Sequence, residues 1–544
     1  MAASKAPTRE LDDEKVELAA DEGHDERERT LSRKEKELEV DVDFGQQYGH
    51  DIEKDAVIST SPRESSNISV SPPDEEENQE PEDPNVVFWD GPNDPANPMN
   101  WSSSKKWGSI AVVSAITFLS PLGSSMIAPG VPGIMSEFHS DNELLSGFVV
   151  SVYVLGFAFG PLVIAPMSEM WGRLPLYHSC QILFLLFTLG CALSKSMGTL
   201  IGLRFLAGSV GASPLTLGGG TIADLIPREK RGMAMAMWVL GPTLGPTIGP
   251  VAGGFISGYL GWRWNFWILT MLSGASSIMG FILQRETYAP VILARKAKRL
   301  RKETGNDALR SKLDKGLSAR DLFFFSIVRP SKMLLFSPIV QAISTFVAIE
   351  YAYLYMLFTT FTSVFEEQYH FAPTLVGLAF LGLGVGQICG QLVYTFYGDR
   401  LPKRHMAAGT FKPEHRLPMM IPAAFCLPIA LFIYAWTVQA KVFWIVPIIA
   451  TGIFGFGLLL SFMPANTYLV DVYTVHAASA MAANTVLRSV LAAVLPLAGP
   501  TMYRRLGLGW GNSLLAFIAV AMLPIPFVFV KYGEQIRKRE KVRL

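Results

Sequence analysis

GPTLGPTIGPVAGG, residues 241–254, sits inside an apolar stretch that runs from Met233 to Leu260. It packs three prolines and five glycines into fourteen residues. In water such a helix would be ruinous, since each interior proline costs ~3 kcal/mol. In lipid an unravelled backbone costs more still, so the segment stays helical and its neighbours repair the lost bonds. Gly241, Gly245, Gly249 and Gly253 recur every four residues and form one ridge without side chains. A second helix can then approach almost backbone to backbone. Pro242, Pro246 and Pro250 keep the same step, which predicts a bent helix with one smooth side. Gly245, Gly249, Pro250, Gly253 and Gly254 are therefore the candidate hinge and seal of a moving membrane protein.

Outward from that stretch, the apolar pattern continues through most of the chain. A membrane helix needs about twenty mainly apolar residues. Twelve candidates are legible: 107–128, 145–166, 174–194, 198–225, 232–260, 264–284, 336–363, 372–397, 417–437, 442–470, 476–502 and 510–531. The longest gap, 285–335, is strongly basic (ARKAKRLRK at 294–302) and follows the sixth span. The expectation is an all-α membrane protein of two six-helix bundles, 105–284 and 336–531. A basic cytosolic loop (285–335) joins them, and a basic tail (532–544) follows.

The formal net charge is zero, but the average hides a split. Residues 1–104 hold 28 Asp and Glu against 10 Lys and Arg, a net of −18; the other 440 residues hold 19 against 37, a net of +18. The acidic segment is rich in Glu, Ser and Pro and cannot bury enough apolar surface to offset its ordering entropy, so it reads as a disordered cytosolic tail. The positive-inside rule puts both termini in the cytosol. In that orientation the inward connections from residue 105 hold 30 Lys and Arg, and the outward ones five. The four cysteines lie in apolar spans and read as small hydrophobes.

Local motifs then identify a resemblance. APMSEMWGR (165–173) resembles the Gly-x-x-x-Asp-x-x-Gly-Arg loop signature of the major facilitator superfamily, with Ala165 and Glu169 in place of glycine and aspartate. RFLAG (204–208) is similar to that family's Arg-x-x-x-Gly motif. Gly249-Pro250 with Gly253-Gly254 resembles the signature of its drug:proton antiporters, although Ala236 stands where a further glycine is usual. NPMNWSSSKKW (97–107), GWRWNFW (261–267), ETYAPVILARKAKRLRKETG (286–305), PEHRLP (413–418) and YLVDVYTVHAASAMAANTVLR (468–488) are similar to the fungal twelve-span drug:proton antiporter branch. The resemblance covers roughly 97–536 and implies two bundles rocking about a central site. It implies a proton-coupled exporter of drugs, fungicides or toxic secondary metabolites, monomeric and multi-pass in the plasma membrane. Its partners would be small hydrophobic or cationic substrates, protons and the lipid bilayer, with no nucleic acid.

Ionisable groups within the spans are few, and each is costly unless it has a task. Glu169 and Arg173 flank the cytosolic end of span 2, as a gate pair or as a fixed loop pin. Arg204 lies about two turns into span 4; by resemblance it senses proton binding or holds a polar network. Glu350 lies fourteen residues beyond Phe336, ~21 Å along its helix and near mid-membrane. A lone carboxyl in low dielectric favours its neutral form, which makes Glu350 the leading proton-coupling candidate. The alternative is a neutral carboxyl bonded across helices for structure alone. Asp471 ends span 10 and is a further coupling candidate. Arg488, in span 11, is a gate candidate that would meet Asp471 only if the fold joins their helices. Asp224 closes span 4 as an interfacial charge.

No Gly-x-x-x-x-Gly-Lys-Ser/Thr phosphate loop is present, so ATP-driven pumping by this chain is not expected. The spans show no His, Asp or Glu cluster at catalytic or metal spacing, so neither an enzyme nor a cofactor is expected. Two other transport readings stay open: proton-coupled uptake of one nutrient, and polyamine export.

Overall fold

A computed structural model describes residues 85–227, 230–314, 319–398 and 400–540. The tail expected over 1–104 thus lies outside the described residues as far as residue 84. The first half is built from α1 (Ser103–Ser125), α2 (Val131–Glu137), α3 (Glu143–Trp171), α4 (Arg173–Ala192) and α5 (Met197–Gly211). It continues through α6 (Ser213–Leu225), α7 (Gly232–Leu260) and α8 (Arg263–Leu283). Two helices follow in the middle, α9 (Ala289–Thr304) and α10 (Ala319–Phe336). The second half begins with α11 (Pro338–Tyr369), α12 (Pro373–Ala379), α13 (Leu381–Val393) and α14 (Arg400–Ala407). It ends with α15 (Met420–Gln439), α16 (Ile445–Tyr473), α17 (Ala477–Val494), α18 (Gly499–Met522) and α19 (Pro524–Arg539).

Local chemistry sets many of these boundaries. Asn142, Ser196 and Ser337 each accept a backbone N–H at the start of α3, α5 and α11, replacing a bond that the first turn lacks. Gly172 (φ 98°) and Gly261 (φ 91°) end α3 and α7 in a backbone region that other residues avoid. Among the described residues, ten helical stretches are long and apolar enough to cross a membrane. The α7 helix is not among them, since glycine and proline dilute its apolar content, and Ala477–Arg539 counts as a single stretch.

The two halves repeat one packing scheme. In the first, α1 packs on α7, α3 on α5 and α4 on α8; in the second, α11 packs on α17, α13 on α16 and α15 on α18. Between halves, α3 meets α17 while α7 meets α12 and α13, the same relation exchanged. One apolar core joins Leu122, Tyr153 and Phe157 of the first half to Tyr355, Phe358 and Phe380 of the second. Phe159, Ile278, Ile282 and Phe517 stay exposed on the outside, where lipid is the solvent.

Two expectations need correction. Segment 285–335 is not a plain loop: α9 and α10 occupy much of it, and α10 packs against both α3 and α17. Residues 85–102, read as the end of a disordered tail, are folded as a strap over that segment. Val86–Val87 pairs in parallel with Arg310–Ser311, and Val87 shares a small apolar cluster with Ala297 and Leu309. Lys296 bonds Asp90 and the Phe88 carbonyl. Asp94 accepts from the Asp90 and Ala96 amides at 2.9 and 2.7 Å, and these bonds with Lys296 hold its carboxyl below the usual range. Acidic composition concealed the strap because the few apolar residues of VVFW (86–89) are averaged away over a hundred polar ones.

Candidate functional site

The glycine ridge of α7 fits the α1 backbone. A Cβ added at Gly241 or Gly245 would stand 2.9 Å from the Phe118 or Leu122 nitrogen, and at Gly253 it would overlap the Met126 carbonyl. Ser125 Oγ donates to the Gly245 carbonyl at 3.4 Å across this seam. The neighbouring face of α7 looks elsewhere. Gly254 abuts the Gly377 backbone of α12, with a Cβ only 3.0 Å from it, and Thr247 fills the space left by Gly384 of α13. One helix therefore presents smooth contacts both inside its own half and to the other half.

Arg204 is 1% exposed, and its hydrogen bonds to the described residues all go to main-chain carbonyls. Its Nε donates to Val149 at 2.6 Å, and Nη2 to Ser124 at 3.1 Å and Val150 at 3.5 Å. Its Nη1 donates to Gly123 at 3.4 Å, and its Cζ lies 5.2 Å from the Tyr153 ring centre. The charge thereby ties α1, α3 and α5 together. From this knot Ser124 Oγ bonds Tyr355 OH on α11 at 2.6 Å, a polar link between the halves.

In the second half Glu350 is 2% exposed, with both carboxyl oxygens 2.7 Å from Ser461 Oγ of α16. The Ser461 hydroxyl also lies 3.0 Å from the Gly457 and Leu458 carbonyls. It has one proton for several acceptors. A neutral carboxyl that donates to Ser461 frees that proton for the main chain and completes the set. Among the described residues no cation pairs with Glu350.

The expected charge pairs are rearranged. Arg173 does not pair with Glu169, which is exposed. Its Nε donates to Asp224 at 2.6 Å, and its guanidinium lies 5.0 Å from the Tyr288 ring centre. Burial and the nearby Glu169 carboxylate push the Tyr288 phenol up to about 12, so the ring stays neutral beneath the cation. Glu286 accepts from the amides of Arg173 (3.0 Å), Leu174 (3.3 Å), Thr287 (3.1 Å) and Tyr288 (3.0 Å). Its carboxylate thus caps α4, where the helix dipole favours negative charge. Gly172 is needed beside it, since a Cβ there would strike the Glu286 carboxyl carbon at 2.7 Å.

Asp471 and Arg488 are not brought together. Arg416 Nε donates to Asp471 at 2.8 Å, and Arg537 Nε bonds Glu414 at 3.1 Å. Arg488 instead lies with its Cζ 4.6 Å from the Tyr351 ring centre and 5.1 Å from that of Phe462. Sequence reading therefore missed Glu286, Glu414 and Arg416, and took Asp224 for a bare interfacial charge. A signal existed. Both halves put an arginine at the start of the third span and an aspartate at the end of the fourth, Arg173 with Asp224 and Arg416 with Asp471.

The sequence model of the Major Facilitator Superfamily matches residues 113–496. "MFS-type transporter atr4" of Stereocaulon alpinum is 53% identical over 488 residues, covering 90% of this chain and 88% of its own. "Efflux pump radE" of Floropilus chiversii is 50% identical over 493 residues, covering 90% and 92%. Among solved structures, the inward-open xylose transporter XylE from E. coli aligns with a TM-score of 0.59 at 13% identity, over 78% of this chain and 96% of that one. This likeness bears on the fold alone. The chain belongs to the Major Facilitator Superfamily, a family of membrane transporters rather than enzymes.

Proposed function

We propose that this chain exports small hydrophobic compounds, drugs or secondary metabolites, across the plasma membrane in exchange for protons, by alternating access. The observation that carries the reading is Glu350, a buried carboxyl between α11 and α16 with Ser461 as its hydrogen-bond partner and no cation paired to it among the described residues. A group so placed loads a proton when its environment opens to one side and releases it when it opens to the other. Export is supported by the relative named an efflux pump and by the close α1–α7 seam. Twelve crossings with both termini cytosolic, in a monomer, complete the proposal. The α7 helix is 29 residues long, and Gly507 (φ 72°, ψ 170°) divides Ala477–Arg539 into two arms.

The test is transport by purified protein in proteoliposomes, with an uncharged hydrophobic fluorescent dye as cargo. Export against a concentration gradient should require an imposed pH difference and stop on addition of a protonophore. Undiminished transport with the gradient collapsed would overturn the coupling. Cargo and protons moving in the same direction would make the chain an uptake symporter instead.

A further inference from the structure

The two span arginines differ in one respect that matters. Arg204 spends its guanidinium on four backbone carbonyls. Arg488 makes no hydrogen bond and no ion pair with any described residue, and its Nε is buried without a partner. A cation at this depth is costly unless something compensates it. Two rings hold it in place, Tyr351 from α11 and Phe462 from α16. Ring contact steadies the cation but leaves the in-plane N–H edge of the guanidinium unused. That edge matches a carboxylate, which takes two parallel N–H bonds.

The surroundings repeat this incompleteness. Asn484, one turn before Arg488 on α17, is 1% exposed and donates to Asn466 Oδ1 at 2.9 Å, yet its own Oδ1 has no partner. Tyr351 and Arg488 both keep part of their surface open. The Tyr351 ring lies 5.3 Å from that of Tyr355, whose hydroxyl reaches Ser124 of the other half. Glu350, the sequence neighbour of Tyr351, is engaged by Ser461, and Asp471, the carboxyl nearest to Arg488 in sequence, by Arg416. The position is therefore cationic, flanked by flat rings, next to the contact between halves, and without a counter-ion among the described residues.

We infer that Arg488, with Tyr351 and Phe462, is a cargo subsite for organic anions, and that it takes planar aromatic compounds bearing a carboxylate. The rings accept the flat body, the guanidinium edge takes the anionic group, and Asn484 Oδ1 offers an acceptor for a hydroxyl on the same compound. The inference rests on the exporter reading in one respect, that cargo enters between the halves. It also narrows that reading, because a fixed cation here disfavours cationic cargo.

The experiment titrates the purified full-length chain with naphthoate, neutral naphthamide and naphthylmethylammonium, following heat of binding. Wild type should bind naphthoate about 10- to 100-fold more tightly than naphthamide. Arg488→Gln should remove most of that preference and bring the two affinities within about twofold of each other. Equal affinities in wild type, tighter binding of the ammonium probe, or a preference for naphthoate that survives Arg488→Gln would overturn the subsite. Displacement of naphthoate by equimolar chloride or phosphate would overturn it too, in favour of an inorganic anion. If Arg488→Gln fails to fold, the wild-type ratio and competition between the probes still decide. Proteoliposomes that bind naphthoate selectively yet carry none of the probes along a pH gradient would sink the exporter reading and leave the anion site standing.

Discussion

A single carboxyl concentrates the coupling question. Glu350 has Ser461 as its side-chain partner, and the serine hydroxyl has carbonyls of its own α16 helix within reach. Glu350→Gln keeps the shape and supplies an N–H donor for Ser461, so the buried polar set stays satisfied and the fold should survive. The amide cannot take up or release a proton. The variant should therefore lose at least about tenfold in pH-driven transport while still exchanging cargo down its own gradient, because the rocking itself needs no titration. Counterflow and pH-driven flux measured in the same vesicle preparation check this, and intact proton-driven accumulation in the variant would remove Glu350 from the mechanism. The depth of Glu350 was legible in the sequence, since each helical residue advances 1.5 Å. Its partner was not. Azimuth around a helix decides which neighbour a side chain meets, and nothing local to residue 350 encodes where Ser461 will stand.

At the level of elements, α7 is where sequence pattern and structure agree most closely. A four-residue glycine repeat specifies azimuth as well as depth, so a smooth helix seam could be read directly, though not that α1 is the helix that fills it. Less visible was the second smooth face, because Gly254 and Gly377 lie in different halves and share no local pattern. These two faces predict different phenotypes for neighbouring substitutions. Gly253→Leu drives a side chain into the Met126 main chain, within one half, and should lower stability by about 1–3 kcal/mol or more. Gly254→Leu meets the Gly377 backbone across the halves. It should leave the thermal unfolding midpoint nearly unchanged while sharply reducing transport, because it opposes closure of the two bundles. Unfolding curves in detergent and flux in vesicles separate the cases; equal thermal losses in both variants would show that the two faces do the same job. The strap at 85–102 was missed for the opposite reason, since composition over a long window cannot register two short β-strands held by one lysine.

Across the whole molecule, the repeat of packing pairs extends to the charges. Arg173 with Asp224 joins α4 to α6 in the first half, and Arg416 with Asp471 joins the short turn Pro413–Met419 before α15 to the end of α16 in the second. Each pair lies within one half, so parting of the halves need not break either. That argues for pins that keep each bundle rigid as it rocks, rather than for a lock thrown between them. Removing one partner leaves a partly buried charge, and Arg173→Ala or Arg416→Ala should each cost about 1.5–3 kcal/mol of stability. Distant sites without shared partners contribute independently, within about 0.3–0.5 kcal/mol. The double variant Arg173→Ala/Arg416→Ala should then lose the sum of the single effects. A lock spanning both halves would behave otherwise, because breaking it once would already forfeit most of its energy. Denaturant unfolding of the four proteins in one detergent tests the distinction, and a double loss well short of the sum would restore the gate to these residues.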